Sequence, residues 1–153
     1  MSSSTTSPAY QLRAAQRGDA DFLWSLRQLV MRELVEATWG KWDDAQQRRF
    51  FDRGFVPRET TIILVDGKPA GRMDVTRSHM EYFLGIIELM PEVQGRGLGS
   101  AVMRGLQEEA RAKHLPIRLQ VIKANVPALR LYTRLGFQPT GETTTHQLML
   151  WHP

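Results

Sequence analysis

Three glycines at alternate positions, Gly95, Gly97 and Gly99, stand between an apolar run ending at Met90 and an amphipathic pattern starting at Leu98. A glycine inside a helix costs about 1 kcal/mol against alanine. Three of them at a strand-to-helix junction therefore serve the turn, not the helix. The first N–H groups of a helix lack internal acceptors, and the helix dipole adds partial positive charge there. Glycine removes the Cβ that would keep a phosphate away from those amides. The segment PEVQGRGLGS reads as an anion cradle joining a strand to a helix.

The hydrophobic period on either side sets the rest of the architecture. Phe22, Leu23, Leu26, Leu29, Val30, Leu34 and Ala37 recur at steps of three and four, predicting a long helix between an Asp19 cap and Gly40. WDDAQQRRFFDRGF predicts a shorter helix capped by Asp43 or Asp44. From Glu59 the pattern turns to strands. Residues 60–65 and 69–77 form a hairpin around the Asp66-Gly67-Lys68 turn, and residues 80–90 form a central, covered strand. Leu98, Val102, Leu106 and Ala110 mark a helix that ends near Lys113, His114 and Pro116. Residues 117–122 alternate as a strand, NVPALRLYTRLGF is a short helix, and FQPTGE and HQLMLW close as strands. With a first strand over residues 10–15, the order is β-α-α-β-β-β-α-β-α-β-β. This is an α/β (α+β) fold, a mixed sheet of about six to seven strands flanked by about four helices. We expect a flexible tail over residues 1–8 and a single domain over residues 9–153.

Composition narrows the chemistry. The chain has no cysteine, which excludes disulfides, a thiolate zinc site and a cysteine nucleophile. No metal is expected. No apolar run reaches the ~18–20 residues that span a bilayer, and the polar start lacks a signal-peptide pattern. A cytoplasmic location with no membrane partner is the expectation. Between Glu92 and Arg134 there are eight Lys/Arg against three Asp/Glu, an excess larger than the +4 of the whole chain. Such a bias suits a nucleotide, a phosphorylated cofactor or nucleic acid, or else a solvated basic helix face.

Two common nucleotide cradles fail on detail. No Gly-Lys-Ser/Thr occurs. Ser100 stands where a dinucleotide fingerprint has its third glycine, and Leu119 and Gln120 stand where its acid belongs. The spacing instead gives Q-x-x-G-x-G through Gln94, Gly97 and Gly99. Further on comes N-x-x-A-x-x-x-Y-x-x-x-G-F, from Asn125 to Phe137. Carrying both motifs in this order, the chain resembles the GNAT superfamily of acetyl-CoA-dependent N-acetyltransferases. The resemblance covers residues 10–151 and is most specific from Glu88 to Phe137.

The resemblance implies a GNAT fold, acetyl-CoA as co-substrate, and transfer of its acetyl group to a primary amine by direct attack. It implies that amides of Gln94, Gly95, Arg96, Gly97, Leu98, Gly99 and Ser100 bind the coenzyme A pyrophosphate, with charge added by Arg96 and Arg104. Leu89, Met90 and Pro91 match the positions that make backbone contacts to pantetheine and the acetyl carbonyl, the Leu89 amide polarising the thioester. Asn125 matches a pantetheine contact and also suits a helix N-cap. Tyr132 matches the general acid that protonates the departing thiolate; the alternative is a packed tyrosine at a helix edge. Glu88, among apolar neighbours, is a candidate base with a raised pKa, and His146 is a second candidate. A hydrogen-bonded structural acid is the alternative for Glu88.

The acceptor stays open among small amines, amino-acid derivatives, aminoglycosides and protein N-termini. Trp39 and Trp42 flank Gly40 and either wall a pocket for an apolar or cationic amine or pack as core. Glu33, Glu36 and Asp43 add negative charge there. No nucleic-acid partner is expected, and a homodimer is compatible with the family. The second functional reading is a non-catalytic acyl-CoA-binding or sensing module.

Overall fold

In the computed structural model, which describes residues 9–153, the chain runs β1 (Gln11–Ala14), α1 (Ala20–Trp39), α2 (Asp44–Gly54), β2 (Thr60–Val65), β3 (Lys68–Arg77) and β4 (Tyr82–Leu89). It continues with α3 (Leu98–Ala112), β5 (Ile117–Ile122), α4 (Val126–Arg134), β6 (Gln138–Glu142) and β7 (His146–Trp151). The expected tail over residues 1–8 lies outside the described residues. The strands make one seven-stranded sheet in the order β1-β2-β3-β4-β5-β7-β6. Only the β4–β5 pair is parallel.

Local chemistry explains most of the junctions. Asp66 and Gly67 both take positive φ in the β2–β3 turn, the geometry that Asp-Gly favours in a tight hairpin. Asp43 caps α2, its carboxylate accepting from the Gln46 amide at 2.9 Å. Asp19 does not cap α1. Its carboxylate is instead gripped by both terminal nitrogens of Arg13 at 2.8 Å and accepts from the Gln16 amide. The Asp19 oxygens are thus spent on Arg13 and on the turn before the helix, not on the first amides of α1.

The helices lie on two faces of the sheet. The α3 and α4 side chains Leu98, Val102, Met103, Leu106, Ala110 and Tyr132 pack with Met73, Tyr82, Leu84, Leu119 and Phe137. Leu23 of α1 and Phe51 of α2 pack with Ala15 and Ile62 in a separate cluster. The apolar stripe expected along α1 divides in two. Leu23 and Leu26 are fully buried, whereas Leu29 is 57% exposed. Val30 and Leu34 are half-buried.

β4 positions everything that follows. It pairs with β3 along its whole length, from Tyr82↔Arg77 to Leu89↔Gly71. Against β5 it pairs only through Tyr82, Phe83 and Leu84. Beyond Leu84 the two parallel strands part and leave a gap. The departure coincides with a β-bulge, where Leu84 faces Val75 and Ile86 faces Asp74, leaving Gly85 without a partner. One extra residue inverts the alternation of side chains. Tyr82, Leu84, Ile87 and Leu89 consequently share the α3 face, and Glu88 is turned to the α1 face, opposite Arg72.

Candidate active site

The glycine-rich segment adopts the cradle geometry that its spacing implied. After a single turn at Pro91–Val93, Gly95 and Gly97 take φ of +75° and +80°, a region that side chains with a Cβ enter at a cost of about 1–2 kcal/mol. Gly97 caps α3 without any side-chain hydrogen bond. The first intrahelical bond is from Ala101 N to Gly97 O, at 3.0 Å. The amides of Leu98, Gly99 and Ser100 thus lie at the open N-terminus of a 15-residue helix. Leu98 itself is buried, so only its backbone faces the opening. Arg96 and Arg104 are exposed and make no salt bridge among the described residues.

The gap between β4 and β5 continues from this cradle. In antiparallel pairing, residues alternate between bonding the partner strand and pointing away from it. Met90 N donates to Ala70 O at 2.8 Å, so Leu89 turns its N–H and C=O away from β3 and toward the gap. The Leu89 carbonyl is taken by Gln94 Nε2 at 2.9 Å. Gln94 therefore ties the loop to the strand through its side chain, a role not visible in its motif. The three positions expected to contact pantetheine differ in the donors they offer. The Met90 amide is committed to β3 and Pro91 has no N–H, so Leu89 alone of the three presents a free donor.

Gly71 makes this arrangement possible. A Cβ there would lie 2.5 Å from the Glu88 carbonyl oxygen and 2.8 Å from Leu89 Cδ2. Substitution must push the β4 backbone where Leu89 faces the gap. Gly71→Ala is expected to destabilise the fold by about 1–3 kcal/mol and to raise KM for acetyl-CoA. Urea denaturation and steady-state kinetics measure the two effects.

A cleft of about 830 Å³ runs through the gap. Its lining includes Gln94 to Gly95, Gly97 to Ser100, Leu89, Pro91, Glu88, Asn125 and Tyr132. Asn125 caps α4, its Oδ1 accepting from Ala128 N at 3.3 Å, while also bordering the cleft. Tyr132 is 6% exposed and packs its ring on Phe137 at 5.7 Å. Burial pushes its phenol up to about 12, so it remains a hydrogen-bond donor throughout the neutral range.

Glu88 enters the cleft from the α1 side. Both carboxylate oxygens are buried with no hydrogen-bond partner. Arg27 of α1 approaches to 3.8 Å from Oε2, too far for a hydrogen bond. Burial raises the Glu88 pKa above the ordinary carboxylate value; Arg72 and Arg27 oppose that rise, and Asp74 adds to it. His146 stands apart, its Nδ1 2.7 Å from Thr145 Oγ1 and its ring 6.1 Å from that of Trp39. It does not line the cleft.

Of the two readings of Trp39 and Trp42, pocket wall or core, Trp42 takes the second. Trp42 is buried against Trp24, at 6.2 Å between rings, with its indole N–H held by Asp44. It is core. Trp39 is 58% exposed and outside the cleft. On the α1 side the cleft is lined by Leu29, Val30, Met31, Glu33 and Leu34, five to ten residues before Trp39. Leu29, Val30 and Leu34 carry the same period as core residues, so the sequence offered no signal to separate them. Among the described residues no helix is long and apolar enough to cross a membrane.

The profile of the Acetyltransferase (GNAT) family matches residues 23–137. A mycothiol acetyltransferase from Streptomyces griseus is 32% identical over 115 residues, which is 72% of this chain and 34% of that protein. The chain thus spans about a third of the length of that relative. Among solved structures, the PaiA N-acetyltransferase of Thermoplasma acidophilum, in complex with coenzyme A, superposes with a TM-score of 0.77 at 12% identity, covering 95% of this chain and 99% of that one. The ribosomal-protein-S18-alanine N-acetyltransferase of Escherichia coli gives a TM-score of 0.67 at 20% identity, covering 93% and 91%.

Proposed function

Because the chain belongs to the GNAT acetyltransferase family, we propose that it transfers the acetyl group of acetyl-CoA directly to a primary amine. The observation that carries this reading is the single cleft joining the open N-terminus of α3, the free Leu89 amide, Tyr132 and the partnerless Glu88 carboxylate. A module that only bound acyl-CoA would need the first two and not the last two.

The cleft fits the co-substrate on physical grounds. Its cradle offers backbone donors to a pyrophosphate, and its gap offers apolar walls and one N–H to a pantetheine thioester. Acetyl-CoA supplies an activated acyl group with a thiolate leaving group. Amides from Gly95 to Ser100 hold the phosphates, the Gln94 amide being taken by Pro91 O at 3.2 Å, and Asn125 borders the pantetheine path. The Leu89 N–H donates to the thioester carbonyl oxygen and stabilises the negative charge that develops there. Glu88 accepts a proton from the incoming ammonium group, directly or through water. The amine nitrogen then bonds to the acetyl carbon as the carbon–sulfur bond breaks. Tyr132 donates its hydroxyl hydrogen bond to the departing sulfur. A phenol near 12 is a weaker acid than a thiol near about 8.5, so Tyr132 stabilises the thiolate mainly as a hydrogen-bond donor. The ammonium loses two protons in all: the one taken by Glu88 passes on to solvent, and the one shed by the nitrogen as it bonds to the acetyl carbon completes the free thiol.

The acceptor is tested by an amine library read through released coenzyme A thiol. Turnover with at least one primary amine is the expected result. Acetyl-CoA binding with no thiol release from any amine would establish the binding-module alternative.

A further inference from the structure

Glu88 sits in an unusual electrostatic frame. The charged groups facing it are Arg27 from α1 and Arg72 and Asp74 from β3. Glu33 of α1 and Arg134 of α4 border the same cleft, as does Tyr132. Arg72 is buried but already committed, donating Nε and Nη2 to Asp74 at 3.2 and 2.7 Å. Arg72 still favours the charged form of Glu88, and the Asp74 carboxylate opposes it in part. Arg27 has no such partner. Glu88 is its only salt-bridge partner among the described residues, and its Nε is buried without a hydrogen bond.

As a stabilising contact this is a poor pair. Both ions lose solvent, and at 3.8 Å neither gains a hydrogen bond in return. As a charge held at a distance it works well. Coulomb attraction falls only as the inverse of separation, whereas a hydrogen bond would occupy the lone pairs that a base must keep open. The geometry leaves both Glu88 oxygens free with a cation 3.8 Å away.

We propose that Arg27 is a positioning residue that keeps Glu88 an open carboxylate facing the cleft. The proposal rests on the reading of Glu88 as the base. Arg27 does not touch the reacting atoms; it acts through Glu88.

The test is carbon-13 NMR of protein labelled at its glutamate side-chain carboxyls, titrated with pH and no substrate. Loss of one resonance in Glu88→Gln identifies Glu88. In Arg27→Met the Glu88 midpoint is expected to move to higher pH by about one unit, a tenfold change in the ionised fraction at a given pH. Arg27→Lys, which keeps the charge, is expected to restore most of the wild-type midpoint. Melting curves establish that each variant is folded, and Arg27→Gln replaces Arg27→Met where the latter is not. An unmoved midpoint in the folded variant overturns the proposal. The base reading fails separately, by wild-type turnover in Glu88→Gln with an amine selected through thiol release.

Discussion

Replacing Tyr132 by phenylalanine is expected to lower kcat by about a hundred- to a thousandfold while leaving acetyl-CoA affinity nearly unchanged. The ring carries the packing, resting on Phe137 at 5.7 Å, and phenylalanine preserves that contact. Only the hydroxyl is lost, and in the proposed reaction it acts on sulfur as the carbon–sulfur bond breaks. An interaction made chiefly in the transition state shows in kcat and not in ground-state binding. Thiol-release kinetics and isothermal titration with acetyl-CoA measure the two sides. The pH profile carries a further expectation. With burial holding the phenol at about 12, any loss of activity between neutral pH and about pH 10 arises from another group. Wild-type turnover in the variant would remove Tyr132 from the mechanism.

Glu88→Gln is expected to reduce kcat by a similar factor, about a hundredfold or more, and to abolish the acid limb of the kcat–pH profile. The sign follows from the burial of the carboxyl. Its pKa is raised above the ordinary carboxylate value, and a base works only when deprotonated. Activity therefore falls as pH drops through that raised value, and the limb lies above the range of an exposed glutamate. Glutamine has the same shape but no titration, so the limb disappears along with the rate. A variant that retains the wild-type limb would show that another group, or the amine itself, sets it.

Much of the site was legible because it is local. Gly95 and Gly97 take positive φ at the alternate spacing that marked them as a cradle. Asn125 caps α4 with Pro127 in the first turn, as the order Asn-Val-Pro suggests. The hairpin turn at Asp66-Gly67 and the boundaries of β5 and β7 follow from patterns a few residues long. Trp42 and the second half of α1 were not legible in this way. Trp42 is core because Trp24, from the preceding helix, packs against it. Leu29, Val30 and Leu34 border a cleft because the sheet opens beneath them. A hydrophobic period states that a face meets something apolar. It does not state whether that is a packed interior or an open groove.

The order of strands and helices, the glycine turn before α3 and the family motifs from Gln94 to Phe137 were readable from the chain of residues alone. Each depends on backbone propensity, capping or spacing within one segment. The tertiary structure alone decided which way Glu88 points. That direction depends on the bulge at Gly85, visible only when β4 is registered against β3. It alone brought Arg27, sixty-one positions earlier in the chain, to 3.8 Å from the same carboxylate. It also showed that the missing side chain of Gly71 is what lets Leu89 turn toward the gap. These features arise from pairing between distant segments, where a shift of one residue exchanges the two faces of a strand.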